Sequence, residues 1–300
     1  MNGLQFPIMY CNNPSPTPGK ALFRSSLCLI TLLLLLVTAG QSTAEEVTPR
    51  PRAHAHNDYY HKRPLLDALS HGFCNVEADI YLVDGALLVA HSRLELKPDK
   101  TLEKLYLDPL LKRVQENTAA GLMKSRVFPG GPPFTLLIDF KTNGAEIYAR
   151  LQDILPHYRE MLTRVEDGKH LQGAVTIVIS GDRPKQQIAA SSIRYVGIDG
   201  RLGDLSSNQP AHLLPLISDR WTSHFRWRGT GPMPAEEKLK LQEIVKQAHD
   251  RGRRVRFWAT PENPALWQEL YDAKVDLINT DKLAELEKFL ASQKPAPKKP

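Results

Sequence analysis

From residue 52 onward, short apolar runs alternate with longer stretches in which apolar side chains recur every three to four positions. The short runs, at 52–56, 75–82, 135–140, 174–179, 195–198, 214–218, 254–258 and 275–279, predict eight strands. Between them the spacing predicts helices over 64–71, 102–119, 145–155, 185–190, 234–252 and 264–273. Eight strands with mostly helical connections imply an α/β fold with a parallel sheet closed as a TIM-type (β/α)8 barrel, for which about 250 residues suffice. One interruption stands out. Asp84-Gly85 separates two strand-like stretches, 79–83 and 86–91, and reads as a β-hairpin inserted after the second strand.

The ends of the chain read differently. Lys20 and Arg24 precede an apolar run at 27–37, and small residues follow up to Ser42-Thr43-Ala44. That pattern is a signal peptide over 1–44, which makes the protein exported, periplasmic or secreted. The apolar run is short against the ~20 residues of a membrane span, so an uncleaved membrane anchor is the weaker alternative. The polar leader ahead of Lys20 is long, and Met9 is an alternative start. A linker at 45–51, a catalytic domain at 52–288 and a disordered Lys/Pro tail at 289–300 complete the organisation.

Composition narrows the function. Loss of the leader removes Lys20 and Arg24 and no acid, taking the formal charge from +6 to +4. A mild positive balance suits an anionic substrate or surface, and without a dense basic stripe it argues against nucleic acid. Cys11 and Cys28 fall in the leader, so the mature chain keeps Cys74 alone and has no internal disulfide. Cys74 lies among apolar residues and reads as a buried thiol rather than a nucleophile. No interface stripe indicates an oligomeric state.

Residues two apart on a strand share a face. Four strand ends carry polar pairs at that spacing: His54/His56, Glu77/Asp79, Asp139/Lys141 and Arg256/Trp258. In a barrel they would face one mouth, the C-terminal one, where active sites of this fold form. Glu77, Asp79 and Asp139 would then converge with only Lys141 to neutralise them, and a hard divalent cation, magnesium or calcium, would relieve the repulsion. The same spacing also fits solvated mouth residues or salt-bridge partners. His56 and His91 bracket the acidic pair and fit general acid and base near neutral pH. His54 shares their face but lies deeper in the strand, as a support would.

The motifs His56-Asn57, Glu77-x-Asp79 and Asp84-Gly85-x-x-Leu88-Val89-x-His91 resemble the glycerophosphodiester phosphodiesterase family of the phospholipase-C-like phosphodiesterase superfamily. Asp139-Phe140-Lys141, Phe257-Trp258 and Asp276-Leu277-Ile278-Asn279-Thr280-Asp281 continue the likeness. Ala55-His56-Asn57-Asp58-Tyr59 and Ile217-Ser218-Asp219-Arg220-Trp221 resemble more specifically the branch named after altered inheritance of mitochondria protein six. The resemblance implies a phosphoric diester hydrolase of lipid metabolism. In it His56 and His91 are catalytic, Glu77, Asp79 and Asp139 hold one Mg2+ or Ca2+, and Lys141, Asn57 and Trp258 bind substrate. A small phosphodiester or phospholipid would be the substrate, the latter bringing peripheral contact with a membrane.

The chain also departs from that family. His-Arg-Gly is replaced by His56-Asn57-Asp58, which removes a phosphate-binding arginine, and Lys62 or Arg63 are candidates to restore its charge. Two rival functions follow from the same residues. His54-x-His56 also opens the first strand of binuclear metallohydrolases, although the middle strands offer none of the further histidines those sites need. A barrel that binds phospholipid or phosphosugar without cleaving it is the other. Finally, Trp221, Phe225 and Trp227 lie among arginines beyond the sixth strand. They either pack their own loop down or form a lid that clamps an anionic substrate.

Overall fold

The computed structural model describes residues 47–121 and 126–293. The leader at 1–44 and the tail from 294 lie outside the described residues. Strands β1 (Arg50–Ala55), β2 (Phe73–Val83), β3 (Ala86–Val89) and β4 (Phe134–Phe140) are followed by a small hairpin, β5 (Arg164–Glu166) and β6 (Lys169–Leu171). Strands β7 (Val175–Gly181), β8 (Val196–Gly200), β9 (Leu216–Arg220), β10 (Arg254–Trp258) and β11 (Ile278–Thr280) complete the set. The helices are α1 (Leu66–Ser70), α2 (Asp108–Ala119), α3 (Gly144–Ile154), α4 (Lys185–Ala190), α5 (Trp221–His224), α6 (Ala235–His249), α7 (Pro264–Asp272) and α8 (Leu283–Ser292). Helix α8 carries regular structure four residues past 288, into the segment expected to be tail.

Eight strands pair in parallel in the order β10-β9-β8-β7-β4-β2-β1-β11. A parallel bridge between Arg256 and Leu277 joins the two ends. The sheet is therefore a nearly closed (β/α)8 barrel, as the alternation implied. Antiparallel β3 pairs β2 through Ile80–Val89 and Val83–Ala86, with Asp84 and Gly85 both at positive φ in the turn. That is the expected hairpin, made by the residues that tolerate its geometry.

The two faces of each barrel strand go to different places. On β2, Val76, Ala78 and Ile80 pack outward under the helices, and on β4 Leu136, Ile138 and Phe140 do the same. The lumen holds only a small apolar plug, Leu137, Val178, Leu216 and Leu277. Its other inward side chains are polar, among them His54, Asn75, Glu77, Asp79, Thr135, Ser180, Asp199, Ser218, Arg256 and Asn279, all buried. Buried polar groups persist only when they satisfy one another or a ligand. The lumen is thus built for chemistry at its mouths rather than for stability at its centre.

Two smaller expectations resolve here. Cys74 is buried and burial pushes its thiol up to about 12, as an inert core residue. Trp221, Phe225 and Trp227 are buried as well. Trp221 stacks on Phe225 at 4.1 Å and both meet the edge of Phe257, while Trp221 Nε1 donates to the carbonyl of Trp227 at 2.9 Å. The segment packs itself down, and a clamping lid would have to break that cluster.

Candidate active site

Sheet register explains why the acidic residues meet. Asp79 on β2 pairs directly with Asp139 on β4, and Glu77 lies two residues below Asp79 on the same face. One carboxylate oxygen from each of Glu77, Asp79 and Asp139 lies within 4.8 Å of the others. Burial and the field of Glu77 push the Asp79 carboxyl up to about 6, with Lys141 opposing. Burial raises Asp139 too, again against Lys141.

The cations around this cluster have divided roles. Lys141 Nζ bridges Asp79 Oδ2 and Asp139 Oδ2, each at 2.6 Å. Arg256, on the closing strand, pairs with Glu77 and donates to Asn279 at 2.8 Å. Burial by itself would raise Glu77, but the Arg256 guanidinium and the His54 hydrogen bond outweigh it and hold Glu77 well below its usual range. His54 is fully buried with Nε2 3.4 Å from Glu77, and burial, then Arg256, lowers it to about 3. It is a neutral prop under Glu77.

Each of the other two histidines has a carboxylate at Nδ1. His56 Nδ1 lies 2.8 Å from Asp281 Oδ1, and His91 Nδ1 lies 3.0 Å from Asp79 Oδ2. A proton on Nδ1 in both rings leaves each Nε2 as the nitrogen available to the cavity. Burial acts to lower His56, but the Asp281 hydrogen bond and the charge of Glu77 raise it overall.

Asp79 shows what the cluster lacks. Its Oδ2 takes Lys141, His91 and the Tyr59 hydroxyl, whereas its buried Oδ1 has no hydrogen-bond partner. An orphaned carboxylate oxygen among two further carboxylates is an all-oxygen donor set that fits a hard divalent cation. Glu77, Asp79 and Asp139 would hold it. All eight residues proposed from sequence line one cavity of about 410 Å³ at the C-terminal mouth, together with Arg201, Arg256, Ser180 and Gly181.

Comparison with known proteins bears on the family of the chain. The family model for the AIM6-like phosphodiesterase domain matches residues 41–199, more than half the chain. This chain belongs to the AIM6-like phosphodiesterase domain family. A second model, for the glycerophosphoryl diester phosphodiesterase family, matches residues 254–284. Altered inheritance of mitochondria protein 6 from Eremothecium gossypii is 30% identical over 286 residues, covering 83% of this chain and 73% of that one. Its counterpart from Lachancea thermotolerans is 31% identical, covering 83% and 71%. Among solved structures, a glycerophosphodiester phosphodiesterase from Parabacteroides distasonis has a TM-score of 0.49 at 16% identity, over 82% of this chain and 98% of that one.

In this AIM6-like domain the segment after His56 is a folded device. Asn57 adopts φ 48°, which turns the chain off β1, and its amide contacts His56 Nδ1 at 2.8 Å and Asp281 at 3.4 Å. Asp58 is buried and accepts hydrogen bonds from the Leu65 amide and the Tyr106 hydroxyl. Tyr59 reaches back over the site, its hydroxyl 2.6 Å from Asp79 Oδ2, 2.7 Å from Asn57 Oδ1 and 3.1 Å from His91 Nδ1.

Several AIM6-like site residues escaped the sequence reading. Tyr59 and Asp281 stood inside quoted motifs, but nothing local reveals what they touch. Arg256 was noted as half of a strand-end pair and not given a role. Arg201 had no signal: it follows β8 and pairs with Asp199 at 2.8 Å while its Nη2 contacts Ser180 at 3.4 Å. Gly181 has φ +68°, and a Cβ there would stand 2.2 Å from Asp139 Oδ1. Lys62 and Arg63 do not line the cavity, and Arg63 is paired with Asp67 at 2.7 Å.

Proposed function

We propose that this domain is a metal-dependent phosphoric diester hydrolase acting on a glycerophosphodiester or phospholipid-type substrate. The observation that carries the reading is the single cavity in which an orphaned Asp79 oxygen, two further carboxylates and two carboxylate-anchored histidines converge. When bound, one Mg2+ or Ca2+ would supply charge neutralisation for the phosphoryl oxygens. His56 and His91 serve as acid and base, one Nε2 taking the proton of the entering oxygen and the other giving a proton to the leaving one. If the alcohol carries a hydroxyl next to the ester, that hydroxyl enters first and closes a cyclic phosphate; otherwise water enters. Lys141 meets the phosphate charge, and Trp258, half-buried at the rim, lines the alcohol side.

The binuclear alternative is disfavoured, because His54 is sealed beneath Glu77 and the acidic cluster contains no histidine. The test is hydrolysis of bis-p-nitrophenyl phosphate with Mg2+ or Ca2+, with EDTA, and by His56→Ala and Glu77→Ala. Activity that vanishes with EDTA and in both variants is expected. Equal rates in all cases would leave only a binding barrel. Export belongs to the same proposal, supported by the leader pattern at 1–44, and a mature N-terminus near residue 45 by Edman sequencing is its check.

A further inference from the structure

The opposite, N-terminal mouth of the barrel holds a larger cavity, about 660 Å³, far in character from the acidic one. Its lining includes Arg52, Arg164, Arg194, Arg254, His170 and His212, with Asp276 as its one carboxylate among the described residues. Asp276 is already engaged, its Oδ2 accepting from His249 Nε2 and the Val255 amide, each at 2.8 Å.

Three of the four arginines have no ion pair among the described residues. Arg52 donates to carbonyls of Leu270, Tyr271 and Val275. Arg194 donates to the carbonyls of Val196 and His212 and contacts His212 Nδ1 at 2.7 Å. Arg254, inside the barrel floor, has only neutral partners, Asn75 Oδ1 at 3.2 Å and Thr135 Oγ1 at 3.1 Å, so most of its five N–H donors are uncommitted. Burial pulls Arg254 below its ordinary value, with Asp276 the opposing charge. Arg194 is buried and Arg52 and Arg254 are half-buried against the cavity, and a guanidinium charge drawn out of water without an ion partner is costly. The β5–β6 hairpin overhangs this mouth and places His170 in a stack with His212 at 5.5 Å.

We propose that this N-terminal cavity binds a small phosphate-bearing anion, with Arg254 as the central contact and His170 on the rim. A guanidinium fork matches phosphate oxygens two at a time, and a dianion would offset two of these charges at once. The site is separate from the proposed catalytic mouth, since the apolar plug of Leu137, Val178, Leu216 and Leu277 lies among the inward side chains between them.

Pyrophosphate titrated calorimetrically into the full chain, without metal and at fixed ionic strength, is the direct probe. Arg254→Gln should weaken it about tenfold or more and His170→Ala about threefold, whereas Lys141→Met at the other mouth should leave it within about twofold. His170 is exposed, so its variant decides the matter even if Arg254→Gln does not fold. Wild-type affinity in His170→Ala, or in a folded Arg254→Gln, or loss of binding in Lys141→Met, would overturn the site. Citrate binding as tightly as pyrophosphate would overturn its phosphate chemistry.

Discussion

Asp281 holds His56 across 225 residues of chain: the carboxylate lies just past β11, the imidazole just past β1, and Nδ1 and Oδ1 are 2.8 Å apart. Parallel pairing of β1 with β11 makes this contact, since Ala55 sits opposite Thr280. Asp281→Asn should keep the fold and reduce kcat by about 10- to 100-fold with little change in KM, because it removes the group that orients the ring and favours its charged form. The His56 pKa should also fall, since the Asp281 hydrogen bond is the largest influence raising it. Steady-state kinetics and an NMR titration of His56 read both, and an unmoved kcat would count against the role.

Tyr59→Phe removes one hydroxyl that serves Asp79, Asn57 and His91 together. A buried carboxylate that loses a donor costs about 1–3 kcal/mol, and His91 loses its side support. Urea unfolding should show that loss, and kcat should drop alongside it. Unchanged kcat would leave Tyr59 a stability residue only.

Among the described residues, Arg256 is the sole arginine paired with the buried Glu77. Arg256→Leu strands that charge and should cost about 3–5 kcal/mol, whereas Arg256→Leu combined with Glu77→Gln should recover much of it. Denaturant midpoints of the single and double variants measure the coupling.

Asp58 makes stability depend on pH in an identifiable direction. Burial, against hydrogen bonds from Leu65 and Tyr106, raises its carboxyl from 3.8 to about 7. Between those values the native state keeps a proton that the unfolded chain has released, so this group's contribution falls as pH rises from 3.8 and levels off above about 7. The slope attributable to it is at most about 1.4 kcal/mol per pH unit. Asp58→Asn should remove that component, visible as a flatter unfolding free energy across the window.

Gly181→Ala places a methyl against Asp139 Oδ1 and strains a backbone at φ +68°. Divalent-cation affinity should weaken about tenfold or more while circular dichroism stays native. Calorimetric titration with Mg2+ or Ca2+ would show it, and wild-type affinity would mean that Asp139 does not need that close approach.

Much of this was written locally. Period-two alternation on 75–82 and 135–140 revealed which side chains share a face, and Asp84-Gly85 revealed the ribbon that returns His91 to Asp79. Helix α8 was missed because 283–292 follows a strand with no turn signal between them, and the β5–β6 hairpin because three-residue strands carry too little pattern. Arg201 was invisible because its importance lies in which wall of the cavity β8 forms.

The sequence by itself therefore determined the barrel, its family and the eight candidate residues, because strand periodicity and short motifs are properties of neighbouring positions. Only the tertiary structure decided the partners: Asp281 for His56, Tyr59 for Asp79 and His91, Arg256 for Glu77, and a floor of unpaired arginines at the far mouth. Those pairings arise from strand register and barrel closure, which bring together residues that no local pattern connects.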